Sequence, residues 1–218
     1  MEVRGDEFHH AARVARVHEG EDVEVFDGRG HAAHGKVSEL GKDLLRISIE
    51  HHIDGRESPL RITLAAAIIQ LDKFELVLQK ATELGVAAII PVITDRIEVR
   101  AERYRGKEER WRKIVFEAVK QSGRAVIPPV TEPARFDEIA KKDSLKIVFD
   151  ADQAADALPR RPTDLIVLIG PEGGWSEREI AVARERGCIF QRLGPRRLRA
   201  ETAAITAVSI VAERFGDL

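Results

Sequence analysis

Two segments in the last third of the chain combine glycine and proline with charged side chains. They are residues 168–174 (LIGPEGG) and residues 193–202 (LGPRRLRAET), and each lies between a short apolar run and a helical pattern. Glycine and proline at such points let the backbone approach a ligand closely. The second segment also places arginines and a glutamate beside such a ligand. These residue types at these positions predict chemistry on a nucleotide.

The composition is that of a folded globular protein. The 218 residues are 44% hydrophobic and 33% charged, with a formal net charge of −2. The longest apolar runs, residues 64–69 and 165–169, are far shorter than the roughly 20 residues that a membrane-spanning helix needs. The acidic N-terminus has no apolar signal-peptide core, and the lone Cys188 cannot form an internal disulfide. We therefore expect a cytoplasmic protein.

The charges are distributed unevenly. Residues 1–60 hold eight Lys/Arg against thirteen Asp/Glu, whereas residues 96–124 hold ten Lys/Arg against five Glu and residues 184–199 hold six Arg against one Glu. Either basic stretch could be a solvated helix surface. The alternative is a local positive patch that attracts nucleic acid, since such binding depends on the patch and not on the net charge.

The N-terminal part predicts a small antiparallel barrel or sheet. Alternating strand patterns, separated by turn residues, occupy residues 23–26, 32–37 and 44–49. Apolar residues at helical spacing predict a helix over residues 8–17. The Ser58-Pro59 step then marks a boundary, because a residue before proline is steered away from helix. We expect one domain over residues 1–58 and another over residues 59–218.

Beyond Pro59 the strand and helix patterns alternate. The strands are predicted at residues 60–69, 87–93, 146–150, 165–169 and 189–193. Helices are predicted at residues 73–84, 107–121, 136–141 and 201–215, with one more that begins at Ser176 and has Glu179 as its capping-box partner. Such alternation predicts an α/β domain with a parallel sheet.

Several other motifs predict structure and not chemistry. Residues 28–33 (GRGHAA) fit a loose dinucleotide pattern, but no helix follows, so a hairpin turn is the better interpretation. His9-His10 and His51-His52 are adjacent pairs whose side chains point apart on a helix or strand, and no cysteine or acidic residue has ligand spacing, so we expect no metal site. Trp111, at helical spacing from Ile114, is predicted to lie in the core.

Motifs along nearly the whole chain resemble one family, the RsmE small-subunit (16S) ribosomal RNA uridine-N3 methyltransferases of the SPOUT class. The N-terminal likeness rests on residues 26–28 (FDG) with His10, Arg13 and Arg16. The rest of the likeness is carried by residues 79–85 (QKATELG), 117–118 (EA), 121–124 (QSGR), 170–174 (GPEGG), 193–202 and 214–217 (RFGD).

The resemblance implies an architecture and a cofactor. It implies a PUA-like RNA-binding β-barrel domain over residues 1–58, followed by a SPOUT domain over residues 59–218 whose C-terminal segment forms a trefoil knot. It also implies that the domain holds S-adenosylmethionine, that the protein works as a homodimer and that its partner is ribosomal RNA or the assembled small subunit. Knots are rare exceptions to ordinary chain topology, so no residue pattern predicts one.

The two Gly/Pro segments suit this cofactor. Backbone groups of Ile169, Gly170, Leu193 and Leu198 could bind adenine and ribose, and glycines without side chains permit close approach. The alternative is that both segments are merely tight turns. The full set of predicted cofactor-binding residues is Leu168, Ile169, Gly170, Glu172, Gly173, Gly174, Leu193, Gly194, Leu198 and Thr202.

Methylation at uracil N3 requires the loss of a proton. Glu201 is the candidate proton acceptor, and Arg199 is the candidate for stabilising the negative charge that develops on the neighbouring carbonyl oxygens. Thr202 could orient either group, and no metal is needed. The alternatives are a helix-capping role for Glu201 and a phosphate clamp for Arg199.

Arginines are the candidates for gripping RNA phosphates, which would supply affinity without sequence choice. In the second domain these are Arg96, Arg124, Arg196 and Arg197, and on the N-terminal domain they are Arg13 and Arg16. The target base has to be splayed out of its stack.

Three other functions stay open at this point. One is a related methyltransferase that acts on another RNA position, including a ribose 2′-oxygen. Another is a non-catalytic RNA-binding or ribosome-assembly factor, and the third is a nucleotide-dependent enzyme that acts on small metabolites.

Overall fold

The computed structural model describes residues 1–159, 162–215 and 218, so Gly216 and Asp217 of the last motif lie outside the described residues. The chain forms two compact units. The first consists of Met1–Glu57 with Gly123–Ile127, and the second of Ser58–Ser122 with Pro128–Leu218. The sequence pattern indicated a break beside Ser58-Pro59, but it did not indicate that Gly123–Ile127 joins the first unit.

The first unit is built around a four-stranded antiparallel sheet. Its elements are β1 (Glu2–Val3), α1 (Gly5–His9) continued by a π-helical segment (His10–Ala15), β2 (Asp22–Phe26), β3 (Ala32–Leu40) and β4 (Leu45–Ile53). The strand order is β1-β4-β3-β2. The GRGHAA segment begins in the hairpin turn between β2 and β3 as predicted, but its last two residues, Ala32 and Ala33, belong to β3. Phe8, Val17, Val37, Leu45 and Ile47 form its small core.

Several predicted boundaries in this unit are wrong, among them the end of β3, which lies at Leu40 instead of residue 37. The helix begins at Gly5 instead of residue 8, and it ends where Arg16 adopts a left-handed backbone with a φ of 56°. Strand β4 continues to Ile53, although residues 50–53 carry no apolar alternation, because they pair with β3. The length of β4 is therefore set by its pairing with β3 and cannot be predicted from the local sequence pattern.

Glu57 holds the segment Gly123–Ile127 within the first unit. Its carboxylate accepts hydrogen bonds from the Ala125 amide at 3.1 Å, from the Val126 amide at 2.9 Å and from Arg124 Nη2 at 2.7 Å. Arg124 is only 3% exposed. This burial corrects the prediction that Arg124 grips RNA phosphates, because its guanidinium is already paired with Glu57 and shielded from solvent.

The second unit alternates strands and helices. Its elements are β5 (Arg61–Ala67), α2 (Leu71–Glu83), β6 (Ala88–Ile93), α3 (Ala101–Tyr104), α4 (Glu108–Ser122), β7 (Ala134–Arg135), α5 (Phe136–Ala140), β8 (Leu145–Phe149), β9 (Asp164–Ile169), α6 (Glu177–Glu185), β10 (Ile189–Gln191) and α7 (Ala200–Phe215). The six strands are all parallel, in the order β10-β8-β9-β5-β6-β7. The predicted α/β class is confirmed.

The central strands are apolar because both faces of the sheet are covered. In β9, Leu165 and Val167 pack into a core that includes residues of α2, α4 and α7, whereas Ile166 and Leu168 pack into a second core with residues of α5 and α6. Trp111 is fully buried in the first of these cores, 5.0 Å from the Phe74 ring, which confirms its predicted position. Among the described helices, none is long and apolar enough to cross a bilayer.

Candidate active site

A cavity of about 470 Å³ opens at the carboxyl ends of β8, β9 and β10. Parallel sheets commonly bind ligands at this edge, because the loops that leave the strands meet there. The lining residues of the three loops are 149–152 after β8, 169–175 after β9, and 193, 194 and 196–198 after β10. Arg96, Glu177, Ile180, Ala200 and Ala203 complete the lining.

The loop after β9 is supported from beneath by Trp175. This indole is buried, and its Nε1 donates a 3.1 Å hydrogen bond to the carbonyl of Phe149 at the end of β8. Gly174 has a φ of 69°, in the left-handed region that favours glycine, and its amide donates to the carbonyl of Pro171 at 2.9 Å. The loop is therefore a fixed turn and not a loose connection.

A capping box starts α6 directly after this loop. Ser176 Oγ accepts from the Glu179 amide at 3.1 Å, and the Glu179 carboxylate accepts from the Ser176 amide at 2.9 Å, which confirms the predicted pair. Glu179 is fully buried, and its second oxygen accepts from the Asp95 amide at 3.0 Å. The same carboxylate thus fixes both the helix start and the loop after β6.

An ion-pair network fixes the loop after β6 more firmly. Asp95 accepts 2.8 Å hydrogen bonds from Arg178 and a 2.6 Å hydrogen bond from Ser176 Oγ, and these contacts lower the pKa of Asp95 to about 2. Arg178 also pairs with Asp137. The next residue, Arg96, then reaches the cavity and donates a 2.8 Å hydrogen bond to the Gly173 carbonyl.

The loop after β10 forms the opposite wall of the cavity. Gly194 has a φ of 92°, and a Cβ there would meet no atom within 4 Å, so this glycine serves the turn and not a packing contact. Arg197 pairs with Asp152 at 3.0 Å, and both side chains are largely exposed. Arg196 is exposed and has no ionic partner among the residues that the structure describes.

The lining combines apolar side chains with carboxylates. Phe149, Ile169, Leu193 and Leu198 supply the apolar surface that a nucleobase requires. The carboxylates of Asp150, Asp152, Glu172 and Glu177 suit a ligand that carries positive charge, and one of them, Glu172, lies 3.8 Å from the Lys73 ammonium. Although Arg96, Arg196 and Arg197 also line the cavity, its apolar surface and nearby carboxylates can bind a nucleoside that carries positive charge.

The comparisons with known proteins agree with this site. The family model of the RNA methyltransferase domain matches residues 56–212, and that of the RNA methyltransferase PUA domain matches residues 3–50. Ribosomal RNA small subunit methyltransferase E of Bacillus subtilis is 31% identical, over 96% of this chain and 88% of its own length. This chain belongs to the ribosomal RNA small subunit methyltransferase E family. Methyltransferase E of Aquifex aeolicus is also 31% identical, over 91% of this chain and 88% of its own.

A solved member of the methyltransferase E family has the same fold throughout. The Neisseria gonorrhoeae enzyme, whose crystal structure was determined bound to S-adenosyl methionine, is 35% identical to this chain. The superposition covers 100% of this chain and 93% of that chain, with a TM-score of 0.91.

The cavity brings together most of the cofactor residues expected for a methyltransferase E protein. They are Ile169, Gly170, Glu172, Gly173, Gly174, Leu193, Gly194 and Leu198, and the predicted phosphate ligands Arg96, Arg196 and Arg197 join them. Two predicted cofactor residues do not line it. Leu168 is fully buried in the core with α5 and α6, and Thr202 points to solvent from the first turn of α7.

The two candidate catalytic residues lie beside the cavity and do not line it. Arg199 is exposed, and its carbonyl accepts a 2.8 Å hydrogen bond from the Ala203 amide at the start of α7. Glu201 follows the lining residue Ala200 by one position, and successive helical residues diverge by about 100°. Its Oε2 is buried without a hydrogen-bond partner among the described residues.

The predictions missed the third wall of the cavity. Residues 149–152 line it from the end of β8, and Trp175 closes its floor. The usable signal was the predicted strand at residues 146–150, since the carboxyl ends of neighbouring parallel strands share one edge. The remaining candidates, Arg13 and Arg16, lie in the first unit, where both side chains are exposed near the end of its helix.

Proposed function

We propose that this protein transfers the methyl group of S-adenosylmethionine to N3 of a uridine in small-subunit ribosomal RNA. The observation that carries the proposal is the single cavity formed by the two Gly/Pro loops, in a chain that superimposes over its whole length on a methyltransferase E described as bound to S-adenosyl methionine.

The residues present fit this cofactor. Backbone groups of Ile169, Gly170, Leu193 and Leu198 would bind the adenosine, and the carboxylates at the mouth would attract the positive charges of the methionine part. When bound, S-adenosylmethionine supplies a methyl group already activated on sulfur. The protein has to hold the uracil in line with that methyl group and to remove the N3 proton.

Glu201 is the proposed acceptor of this proton. A buried carboxylate oxygen without a donor costs free energy, so its unpartnered Oε2 is a feature that helix capping alone does not explain. Arg199, exposed at the neighbouring helix start, is the proposed cation that stabilises negative charge on the uracil oxygens. Both roles require the base to enter beside the first turn of α7.

Exposed arginines of both units are the proposed phosphate ligands. Arg96, Arg196 and Arg197 are exposed in the second unit, and Arg13 and Arg16 are exposed in the first. Phosphate contacts position an RNA strand without reading its sequence. The base would then have to leave its stack to reach the cofactor.

Three further expectations belong to the same proposal. The family resemblance implies a trefoil knot in the C-terminal segment and a homodimer. Action on ribosomal RNA would take place in the cytoplasm.

The test is methyl transfer to ribosomal RNA. Small-subunit RNA and assembled small subunits that lack the modification are incubated with the protein and labelled S-adenosylmethionine, and the nucleosides are separated by mass spectrometry. We expect labelled N3-methyluridine; a labelled ribose 2′-oxygen, or no label, would refute the proposal. Glu201→Gln and Arg199→Ala should each lower turnover by about 10²–10⁴-fold at unchanged cofactor affinity. Full turnover in both variants would remove the two residues from the mechanism.

A further inference from the structure

A β-bulge in the first unit brings three potential ligands to one face of the sheet. His34 of β3 pairs with His51 of β4, whereas the next residue, Gly35, pairs with Ile49. Glu50 is therefore an extra residue on β4. In a regular strand Glu50 and His51 would point to opposite faces, but a bulge turns consecutive side chains to the same side.

The three side chains lie close together. The His34 and His51 rings are stacked, with centroids 5.2 Å apart and an interplanar angle of 20°. His34 Nδ1 is 3.5 Å from Glu50 Oε2, and one ligand atom from each of the three residues lies within 4.8 Å of the others. His34 Nδ1 is itself buried and has no hydrogen-bond partner in the described part of the chain.

We propose that His34, Glu50 and His51 bind a divalent transition-metal ion, with Zn²⁺ as the first candidate. Two imidazole nitrogens and one carboxylate oxygen form a donor set that Zn²⁺ accepts, with water at the open position. Tetrahedral Zn²⁺ holds its ligand atoms about 3–3.5 Å apart. Glu50 and His51 are exposed, so small side-chain rotations bring the cluster to that spacing.

The carboxylate of the neighbouring Glu24 is already paired with Arg56, so Glu50 is the carboxylate that a cation at this place would neutralise. Glu24 of β2 lies opposite His34 in the sheet, and its carboxylate accepts hydrogen bonds from Arg56 at 3.0 and 3.2 Å. A bound ion would offset the charge of Glu50 and would join β3 to β4 across the bulge. It would bind to the first unit, so the proposal does not depend on the methyltransferase activity.

This proposal departs from the sequence-based expectation of no metal site. That expectation rested on adjacent side chains pointing apart and on the absence of a cysteine or acidic residue at ligand spacing. A bulge cannot be seen in a single strand pattern, because it is a property of the pairing. His52, which pairs with Ala33, belongs to the opposite face from His51 and provides a matched control.

The experiment titrates the full chain with Zn²⁺ by calorimetry and with Co²⁺ by visible absorption. We expect one ion per chain and a Co²⁺ spectrum with ligand-field bands of low coordination number. The double variant His34→Ala/His51→Ala should bind at least tenfold more weakly, and Glu50→Gln should also lose affinity. His52→Ala should bind like the unmodified chain.

A thermal readout shows whether the ion binds the folded sheet. Zn²⁺ should raise the unfolding midpoint of the unmodified chain and of His52→Ala, but not that of the double variant, because only a ligand of the folded state stabilises it. Circular dichroism verifies that all variants fold. Absence of binding to the unmodified chain, equal affinity in the double variant or an equal loss in His52→Ala would each overturn the proposal.

Discussion

The backbone of Gly170 lies directly against the indole of Trp175. A Cβ built on Gly170 would stand 3.1 Å from Cε2 of that ring, closer than ordinary van der Waals contact. The ring is poorly able to yield, since it is buried and its Nε1 is hydrogen-bonded to the Phe149 carbonyl. Trp175 therefore holds the loop after β9 and the loop after β8 in place, and these loops form two walls of the cavity.

Gly170→Ala should therefore destabilise the protein and distort the wall of the cavity. We expect a loss of about 1–3 kcal/mol in the free energy of unfolding, the usual cost of overpacking, together with weaker S-adenosylmethionine binding. Gly173→Ala in the same loop is the control, because its Cβ would be 3.5 Å from the Arg96 Cβ, an ordinary contact. Urea unfolding measures both variants. Equal stability in the two would contradict the assigned contact.

Asp95→Asn should destabilise the protein in a pH-dependent manner. The hydrogen bonds from Arg178 and Ser176 lower the pKa of Asp95 from 3.8 to about 2, so its ionised form stabilises the fold. That contribution is present above pH 4 and is lost as the pH falls through about 2. We expect a difference of about 1 kcal/mol at pH 7 that shrinks below pH 4.

The measurement for Asp95 is denaturant unfolding of both proteins at pH 7, 4 and 3. Asp152→Asn serves as the comparison, since the pair of Asp152 with Arg197 is largely exposed and should contribute little. A difference between the Asp95 variant and the unmodified chain that stays constant over this range would show that Asp95 does not act through its charge.

Arg124→Ala should act on stability and not on RNA binding. It would leave the partly exposed Glu57 carboxylate with only its two backbone donors, and losing the guanidinium partner should cost about 1–3 kcal/mol. Arg4→Ala, which removes an exposed pair with Glu2, should leave the stability nearly unchanged, because solvent screens that pair. Thermal and urea unfolding give the comparison. If Arg124→Ala were as stable as the unmodified chain and its RNA binding depended less on salt, Arg124 would be a phosphate ligand after all.

Arg196→Ala should reduce the salt dependence of RNA affinity. Each phosphate contact adds about 0.7–0.9 to the slope of log K against log salt, so losing one contact should lower the slope by that amount. Arg186→Ala is the control. Arg186 lies at the C-terminal end of α6, whereas residues near the N-terminal end of this helix line the cavity, so its removal should leave the slope unchanged. Fluorescence anisotropy over a salt series measures the RNA affinity of both variants and of the unmodified chain. Equal slopes for Arg196→Ala and the unmodified chain would show that Arg196 contacts no phosphate.

The buried strands and capped helices of the second unit could be predicted because their determinants are local. Strands β5 and β9 are apolar runs because helices cover both faces of the sheet at these strands. Ser176 and Glu179, three positions apart, specify the start of α6. Strands β1 and β7 have two residues each, too few for any periodic pattern. Pairing with β4 and β6 makes them strands.

The features that could not be predicted all depend on contacts distant in sequence. Glu57 and Arg124 are 67 residues apart, so nothing local indicates that Arg124 is buried. The bulge at Glu50 exists only in the register with β3. The two Gly/Pro loops could be assigned to one ligand, whereas the position of Glu201 relative to the cavity required the orientation of α7.

Calorimetric titration with S-adenosylmethionine shows whether the two Gly/Pro loops form one cofactor site. The unmodified chain is compared with Ala203→Phe and Ile210→Phe. Ala203 lines the cavity, whereas Ile210 is exposed on the same helix. We expect one cofactor per unmodified chain, equal binding by Ile210→Phe and no binding by a folded Ala203→Phe. Failure of the unmodified chain to bind, or undiminished binding by Ala203→Phe, would contradict this expectation.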